Sequence, residues 1–435
     1  MTFFKQNARI SSKELSSIPG DKSISHRAVI MGSLANNNSV FEGFLCAEDC
    51  LNTAKIFQQL SVPVTVDVST QTLRIEGQGL GGLKPSDKPL YVGNSGTGIR
   101  LISGVLAGQR FESEILGDDT IQKRPMSRII DPLRLMGATI HGQQRDDKEY
   151  APLHIQPAEA LKAMHYELPM PSAQVKSAVL LASLFADGVT EVYEPIVCRN
   201  HSEVMLKQFG ADIHVSNKRI RCSAKTALQN PFEGAIQIPS DFSSASFFIV
   251  LALLLPNSEL CLKHIGLNPT RCRLIHVLQE MGANIRIENE VNEIESYGDI
   301  IVSSSSLHNI EVKAEDIPII IDEIPILAVA ALFATGTLVL KNAEELRVKE
   351  SDRIRSIVLM VEAFGGDIEE FEDGFALKGG VSASTVSVQT FYDHRIAMSA
   401  VIAACVGSVE LELDNSECIH TSFPNFFDCL DFVLS

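Results

Sequence analysis

The sequence predicts an α/β protein made of six repeated units and folded into more than one domain. Three observations lead to this prediction. The chain has 435 residues, 45% of them hydrophobic, whereas a single core rarely serves more than about 250 to 300 residues. A polar cluster followed at once by an apolar helical run occurs six times, roughly every 70 to 80 residues. In most units a second amphipathic helix follows, which ends at a glycine and runs into a strand.

The six copies of the first element place polar or charged residues where a helix should begin. They start at Lys22, Asn94, Ser172, Ser240, Asp322 and Asp393. The second element starts at Leu133, Leu206, Leu278 and Val361, each time with glycine where a helix C-cap favours it. A degenerate copy starts at Phe57, and the last copy, at Phe427, ends where its strand should begin. We therefore expect the first strand of the chain to complete the last unit.

The length of the repeat excludes the common repeat folds. Solenoids and propellers have periods of roughly 20 to 50 residues, whereas 435 residues divided by six give roughly 72 per unit. A unit of this length holds two helices and several strands and is a small α/β module. Six modules can form two domains of three, but the repetition alone does not show how they associate.

Composition excludes several classes of partner and cofactor. A formal net charge of -17 disfavours nucleic acid and anionic membrane as partners. The nine cysteines show no CxxC pair, which predicts buried thiols rather than a metal site. The apolar runs at residues 247–255 and 317–333 are too short or too interrupted to span a membrane and predict buried helices. The N-terminus has no long apolar stretch behind a basic start, so we expect a cytoplasmic protein without signal peptide or anchor.

Three of the polar clusters have the chemistry of an anion site, because a helix N-terminus carries unpaired amides and a partial positive charge. Lys22, Ser23 and Arg27 lie together at such a start, and their two cations favour an anionic ligand over a solvated surface. Residues 93–100 (GNSGTGIR) follow a short strand and open a helix, as a phosphate loop does. They lack the Walker lysine and depart from GxGxxG, so neither ATP nor a dinucleotide is indicated. Ser172-Ala-Gln-Val-Lys176 places a hydroxyl, an amide and an ammonium on one turn, which suits a phosphorylated polyhydroxy substrate.

The other clusters leave alternatives open. Residues 122–126 (QKRPM) are equally well a binding loop or a solvated charge run. In residues 347–353 (RVKESDR), Lys349 and Arg353 are four apart and Glu350 and Arg353 three apart, so ion pairing on a solvated helix face is an even alternative to a site. Residues 392–395 (YDHR) offer an acid, a base and a cation, although such a histidine is more often structural. The Ser240 cluster alone is best explained as an ordinary N-cap.

Taken in order, the motifs GDKSISHR, GNSGTGIR, KRP, SAQVKS, RVKESDR and FYDHR resemble those of the 5-enolpyruvylshikimate-3-phosphate synthase family, over about residues 19–424. The resemblance implies two domains, each of three βαβαββ-type units in an inside-out α/β barrel, with the active site in the interdomain cleft. The implied domains are residues 1–20 with 238–435, completed by the N-terminal strand, and the inserted residues 21–237. The implied reaction transfers the enolpyruvyl group of phosphoenolpyruvate to the 5-hydroxyl of shikimate 3-phosphate, with release of phosphate, in chorismate biosynthesis.

The resemblance also implies which residues form the site. The implied shikimate 3-phosphate ligands are Lys22, Ser23, Arg27, Ser172, Ala173, Gln174, Arg199, Asp322 and Lys349. The implied phosphoenolpyruvate ligands are Lys22, Asn94, Gly96, Arg124, Gln174, Arg353 and Arg395. The implied catalytic groups are Asp322 and Lys349 at the 5-hydroxyl, and Glu350 and Lys22 at the enol carbons. No metal or cofactor is implied, and we expect a monomer.

The sequence departs from the family pattern at one position and leaves two alternatives open. Some members carry lysine where Thr421 stands, so that contact with phosphoenolpyruvate is in doubt. The related transferase that acts on UDP-N-acetylglucosamine usually begins its first motif with Lys-Asn and uses a loop cysteine, which residues 122–125 lack. A non-catalytic anion-binding repeat protein would give no reason for Asp322, Glu350 and Asp393 to lie beside cations. Glyphosate sensitivity stays open, because Gly96 is small while other segments resemble a tolerant subclass.

Overall fold

A computed structural model describes residues 1–3, 5, 8–10, 13–224 and 226–434. The chain divides into two compact units, Gly20–Ile238 and the combination of Met1–Pro19 with Pro239–Ser435. The strands are β1 (Thr2–Phe3), β2 (Glu14–Leu15), β3 (Asn38–Glu42), β4 (Val64–Asp67), β5 (Thr72–Glu76), β6 (Leu90–Tyr91), β7 (Ser113–Leu116), β8 (Ile140–Arg145), β9 (Lys148–Ile155), β10 (Leu161–Lys162), β11 (His165–Glu167), β12 (Ala186–Asp187), β13 (Val189–Tyr193), β14 (Asp212–Ser216), β15 (Arg219–Ser223), β16 (Ile236–Gln237), β17 (Glu259–Gly266), β18 (Asn284–Asn292), β19 (Ser296–Ser303), β20 (Thr337–Leu340), β21 (Asp367–Phe371), β22 (Gly374–Lys378), β23 (Thr385–Val388) and β24 (Glu410–Leu413). The α-helices are α1 (Lys22–Leu34), α2 (Glu48–Gln59), α3 (Gly96–Leu106), α4 (Ser127–Leu135), α5 (Ala173–Ser183), α6 (His201–Gln208), α7 (Phe242–Leu254), α8 (Arg273–Glu280), α9 (Ile317–Ile320), α10 (Ile324–Leu332), α11 (Arg353–Ala363), α12 (His394–Gly407) and α13 (Phe426–Val433).

The unit Gly20–Ile238 repeats one sheet topology three times. Its four-stranded sheets have the orders β16-β3-β5-β4, β6-β7-β9-β8 and β11-β13-β15-β14. In each sheet the first two strands are parallel and the last two form an antiparallel hairpin. The first strand of the first sheet is β16, from the far end of the segment, where Ile236 lies opposite Phe41. Each repeat is therefore a βαβαββ unit.

The second unit is built in the same way from both ends of the chain. Its sheets have the orders β2-β17-β19-β18, β20-β22-β21 and β1-β24-β23. The N-terminal β1 lies antiparallel to β24, with Thr2 opposite Glu412. In the middle sheet, the first strand of the pattern is reduced to isolated parallel bridges such as that between Glu311 and Val339.

Helices fill the interior of each unit, which confirms the predicted fold class. Within the second unit, α7, α10 and α12 pack against one another, and every residue of α10 is buried. Such helices are apolar all round because neighbours cover them on several sides. The sheets remain separate, so no described sheet closes on itself. The run at residues 317–333 forms two helices, α9 and α10, and the chain leaves the helix between them at the acidic interruption of Asp322 and Glu323.

The glycines that end the second helices have a stereochemical cause. Gly137, Gly210, Gly282 and Gly365 all have positive φ, of 95°, 83°, 99° and 81°. A Cβ disfavours this left-handed region, so glycine is the favoured residue there. In the degenerate copy Ser61 takes the same place with φ of 66°. No described helix is long and apolar enough to cross a bilayer.

Candidate active site

The start of α1 carries a lysine paired with a buried acid. The Asp21 side chain caps the helix by accepting the Ile24 N–H at 2.9 Å. The Lys22 ammonium pairs with Asp49 of α2, whose side chain is 3% exposed, whereas that of Lys22 is 22% exposed. Asp49 offsets part of the positive charge that the sequence places at this helix end. Lys22 keeps enough exposed surface to contact a ligand.

Arg27 lies one turn further along α1 and is buried. Its Nε donates to Ser202 Oγ at 2.7 Å, its Nη2 to Ser177 Oγ at 2.8 Å and its Nη1 to the Ser23 carbonyl at 2.9 Å. Lys22, Ser23 and Arg27 are thus together at one helix end, as the spacing predicts. The Arg27 guanidinium also connects α1 to α5 and α6.

The glycine-rich loop ends against two arginines. Ser95 caps α3 by accepting the Gly98 N–H at 3.0 Å. A Cβ on Gly96 would lie 2.6 Å from Arg124 Nη1 and 2.8 Å from Arg100 Nη1. Arg124 and Arg100 are both buried. Glycine at position 96 therefore allows two guanidinium groups to approach the backbone at the start of α3, beside Asn94.

Gln174 faces this loop from the first turn of α5, which Ser172 caps. Its Oε1 accepts a hydrogen bond from Arg100 Nη1 at 2.7 Å, and its Nε2 donates to Thr97 Oγ1 at 3.1 Å. Arg100 also donates to the Gly96 carbonyl at 3.2 Å. The sequence analysis missed this role of Arg100 and Thr97. Arg100 follows Gly96 by four residues, so it lies on the same helix face, and this spacing could have identified it.

The buried side chain of His26 connects α1 to α2 and to the glycine-rich loop. The sequence motifs did not predict this role. Its Nδ1 lies 2.8 Å from Thr53 Oγ1, and its Nε2 lies 3.3 Å from Ser95 Oγ. Burial first, and then the charges of Lys22 and Arg27, hold the pKa of His26 well below its usual range. A neutral imidazole therefore links α1 to the cap of the glycine-rich loop. Its partners are 27 and 69 residues away in the chain, so no local pattern identifies them.

The structure contradicts the prediction that the Lys176 ammonium faces a substrate. Lys176 is fully buried, and its Nζ lies 2.6 Å from Glu203 Oε1 and 2.8 Å from Glu194 Oε2. Burial alone would lower the pKa of Lys176, but chiefly Glu203 raises it above its usual value. Ser172, Ala173 and Gln174 precede Lys176 at the helix start and are partly exposed. Arg199 is also partly exposed and lies in the segment before α6.

In the second unit, three carboxylates surround one buried arginine. The Arg353 side chain is 1% exposed, and its Nε donates to Asp393 Oδ2 at 2.7 Å, its Nη1 to Asp322 Oδ1 at 3.1 Å and its Nη2 to Glu350 Oε2 at 2.5 Å. The alternative of a solvated helix face is therefore wrong. Lys349 and Arg353 do not share a helix either, because a 3-10 helix ends at Val348 and α11 begins at Arg353. Burial alone would raise the pKa of Asp393, but Arg353 holds it below its usual range.

Asp322 lies between this arginine and a second one. Its carbonyl accepts a hydrogen bond from Arg395 Nη1 at 2.8 Å, and its side chain remains 15% exposed. Lys349 lies near enough to interact electrostatically with Asp322. Burial lowers the pKa of Lys349, and the charges of Asp322 and Glu345 only partly offset this. The cluster thus combines a fixed carboxylate with an ammonium that loses its proton more readily than an ordinary lysine.

A second buried ion cluster supports Arg395 from behind. The side chain of Glu323 is fully buried, and its Oε1 accepts from Ser243 Oγ, lies 3.4 Å from Arg271 Nη1 and lies 3.8 Å from Arg395 Nη1. No motif in the sequence predicts the contact of Arg271 with Glu323. These residues come from three repeats, so their contact depends on the tertiary fold.

Thr421 donates to the Cys418 carbonyl at 2.8 Å and supplies no cation at the position where some family members carry lysine.

Comparisons with known proteins give a consistent result. The family model described as EPSP synthase (3-phosphoshikimate 1-carboxyvinyltransferase) matches residues 6–430. A relative of that enzyme name from Thermoanaerobacter sp. (strain X514) is 44% identical over 423 residues, covering 97% of each chain. One from Geobacillus thermodenitrificans is 46% identical over 420 residues, covering 96% of this chain and 95% of the relative.

The solved structures agree with the sequence comparisons. An EPSP synthase from Acinetobacter baumannii superposes with a TM-score of 0.85 at 37% identity, covering 100% of this chain and 98% of that one. The enolpyruvyl transferase NikO from Streptomyces tendae has a TM-score of 0.76 at 15% identity, covering 99% and 96%, and shares the fold.

Proposed function

The chain belongs to the EPSP synthase family, and we propose that it transfers the enolpyruvyl group of phosphoenolpyruvate to the 5-hydroxyl of shikimate 3-phosphate, releasing phosphate. This is the 3-phosphoshikimate 1-carboxyvinyltransferase reaction of chorismate and aromatic amino acid biosynthesis. The main support for this proposal is the environment of the Asp322 carboxylate. A partly exposed carboxylate held by Arg353, with Arg395 on its carbonyl and Lys349 nearby, suits removal of a proton from a hydroxyl.

We assign nine residues to the binding of the acceptor, shikimate 3-phosphate. Lys22, Ser23 and Arg27 offer two cations and a hydroxyl to the anionic groups of shikimate 3-phosphate, and Arg199 offers a third cation to its phosphate. The hydroxyl and amide groups at the start of α5, from Ser172, Ala173 and Gln174, suit the ring hydroxyls and the phosphate. Asp322 and Lys349 meet the 5-hydroxyl.

Phosphoenolpyruvate, which donates the enolpyruvyl group, is assigned to the cationic groups around the glycine-rich loop and to the arginines at positions 353 and 395. These groups are Lys22, Asn94, Gly96, Arg124, Gln174, Arg353 and Arg395. Phosphoenolpyruvate carries a phosphate and a carboxylate, so several cations are needed to bind it. The Arg353 contacts with three carboxylates leave one Nη1–H of its five N–H groups for a ligand. We infer that Arg124 and Arg395 bind phosphoenolpyruvate more strongly than Arg353 does.

The proposed chemistry is an addition followed by an elimination. Asp322 accepts the proton of the 5-hydroxyl while the hydroxyl oxygen bonds to C2 of phosphoenolpyruvate. Glu350, assisted by Lys22, delivers a proton to C3. The product of this step is a tetrahedral ketal. The C2–O bond to phosphate then breaks, and the leaving phosphate takes the proton from Asp322. C3 returns a proton to Glu350, and the C2=C3 double bond forms again. The arginines stabilise the charge on phosphate and carboxylate throughout.

We further propose that the protein acts in the cytoplasm as a monomer and takes no nucleic acid or membrane as a partner. The net charge of -17 supports the exclusion of nucleic acid and anionic membrane as partners, because a polyanion would be repelled. Gel filtration with light scattering tests the oligomeric state, and a mass of two chains would contradict it.

The reaction is tested by measuring phosphate release from phosphoenolpyruvate with purified protein in buffer containing EDTA. Shikimate 3-phosphate and UDP-N-acetylglucosamine are compared as acceptors. We expect release only with shikimate 3-phosphate. Release only with the nucleotide sugar would move the protein to the related transferase, and release with neither would favour a binding protein.

A further inference from the structure

Two neighbouring helices in the unit Gly20–Ile238 meet through four adjacent side chains. On α5 these are Lys176 and Ser177, and on α6 they are Ser202 and Glu203. Lys176 Nζ lies 2.6 Å from Glu203 Oε1, and Ser202 Oγ donates to Ser177 Oγ at 2.7 Å. We call these four residues the α5–α6 seam.

The seam is more polar than helix packing alone requires. The Lys176 side chain is 0% exposed and that of Glu203 is 4% exposed. Glu203 Oε2 is buried with no hydrogen-bond partner among the described residues. Apolar side chains of similar volume often pack at least as stably as a buried ion pair. The ion pair therefore indicates a role in geometry rather than in stability.

The ion pair also fixes the chain just before Arg199. Lys176 Nζ donates to the Cys198 carbonyl at 3.2 Å. Glu194 Oε2, which pairs with Lys176, accepts the Cys198 N–H at 3.2 Å. Both backbone polar groups of one residue are thus held by buried charges. The position of the next residue, Arg199, follows from theirs.

The serine pair holds the second cation. Ser202 accepts from Arg27 Nε and Ser177 accepts from Arg27 Nη2, so the guanidinium bridges the two helices. A shift of α6 relative to α5 would pull these two acceptors apart. Such a shift would also move Arg199, because Lys176, which pairs with Glu203 across the seam, holds the backbone of the preceding residue, Cys198.

We propose that the α5–α6 seam is a positioning device that places Arg27 and Arg199 and so sets the affinity for the acceptor substrate, shikimate 3-phosphate. This inference rests on the proposed function, in which both arginines bind that substrate. The seam residues do not touch the substrate. Loosening the seam should weaken binding of shikimate 3-phosphate and leave phosphoenolpyruvate binding nearly unchanged.

The mildest test is Ser202→Ala, with Ser183→Ala as the matched control. Ser183 is a buried hydroxyl on α5 that donates to the Leu180 carbonyl at 2.7 Å and also hydrogen-bonds the Cys222 side chain. Loss of a hydrogen bond to a charged group corresponds to about a tenfold change in an equilibrium. We expect KM for shikimate 3-phosphate to rise about tenfold in S202A, with kcat and KM for phosphoenolpyruvate within about twofold. S183A should match wild type, and equal changes in both KM values would overturn the proposal.

The ion pair is tested by the double change Lys176→Met with Glu203→Gln. One ammonium and two carboxylates give the cluster a net charge of -1, and the variant keeps -1 on Glu194. The control is Lys263→Met with Asp299→Asn, another pair with one buried member. Both double variants should lose stability. Only the seam variant should raise the ratio of KM for shikimate 3-phosphate to KM for phosphoenolpyruvate, by about tenfold or more. An unchanged ratio in an active seam variant would overturn the proposal.

The two proposals fail in distinguishable ways. If the seam double variant does not fold, S202A and S183A decide the question. If wild-type protein releases no phosphate with shikimate 3-phosphate, the proposed function fails. If wild type is active and the seam variants keep its KM ratio, only the seam proposal fails.

Discussion

Replacing Arg353 with methionine should unfold the second unit more easily and reverse its dependence on pH. Arg353 is 1% exposed and forms ion pairs with Asp322, Glu350 and Asp393. Removing one partner of a buried ion pair costs about 3 to 5 kcal/mol, because the remaining charge is left uncompensated. We expect Arg353→Met to lose about that much free energy of unfolding near pH 8.

The sign of the pH effect follows from Asp393. In the wild type, Arg353 holds its folded-state pKa below the usual value. Asp393 therefore adds stability above the unfolded-state pKa, which is lost as the pH falls through the folded-state pKa. In Arg353→Met, burial and Glu350 raise the pKa of Asp393 and outweigh His394, whose smaller effect lowers it. The carboxyl then takes up a proton on folding, so the variant should recover stability relative to wild type as the pH falls from 8 to 5.

The assay is urea unfolding followed by circular dichroism, since the chain has no tryptophan. The control is Arg355→Met on the same helix, whose partner Glu370 is 27% exposed while Arg355 itself is 50% exposed. Such a surface pair contributes about 0 to 1 kcal/mol. Equal losses for the two variants, or an Arg353→Met deficit that does not shrink at lower pH, would refute the electrostatic account.

Three further predictions follow from single residues. Gly96→Ala should raise KM for phosphoenolpyruvate about tenfold or more by displacing the Arg124 side chain, which a Cβ would meet at 2.6 Å; steady-state kinetics with an unchanged KM would contradict this. Because burial lowers the pKa of Lys349, its ammonium is lost at a lower pH than usual, so kcat should fall on the alkaline side and Lys349→Arg should move that fall to higher pH; an unmoved profile would remove Lys349 from the mechanism. Tyr392 is 69% exposed with φ of 59°, so Tyr392→Gly should stabilise the protein by about 0.5 to 1 kcal/mol in urea unfolding; a destabilised variant would show that the side chain holds the loop.

Local chemistry explains why much of the fold is predictable from the sequence. The repeats are visible because each unit needs the same helix ends, and glycine at positions 137 and 282 has the positive φ that a helix C-cap favours. Side-chain caps at Asp21 and Ser95 follow the same local rule. The acidic residues Asp322 and Glu323 mark the start of α10, but hydrophobicity alone does not show that Ile317–Ile320 form a separate short helix before them.

The parts of the site that were not predicted depend on distant contacts. Lys176 looked like a ligand because its helix start is polar, but Glu194 and Glu203, from two later elements, enclose it. The position of Arg353 among three carboxylates depends on Asp322 and Asp393, which are 31 and 40 residues away in the chain. Charge spacing along one helix cannot show such contacts.

The Asp322→Asn variant shows whether Asp322 takes the proton of the acceptor hydroxyl. The amide keeps the size of the carboxyl and its acceptor oxygen for Arg353, so both substrates should still bind. We would measure rapid-quench single turnovers with saturating shikimate 3-phosphate and phosphoenolpyruvate, beside equilibrium binding of each substrate. We expect a rate lowered by about 100-fold or more with dissociation constants within about threefold of wild type. A single-turnover rate near that of wild type would show that Asp322 is not the base.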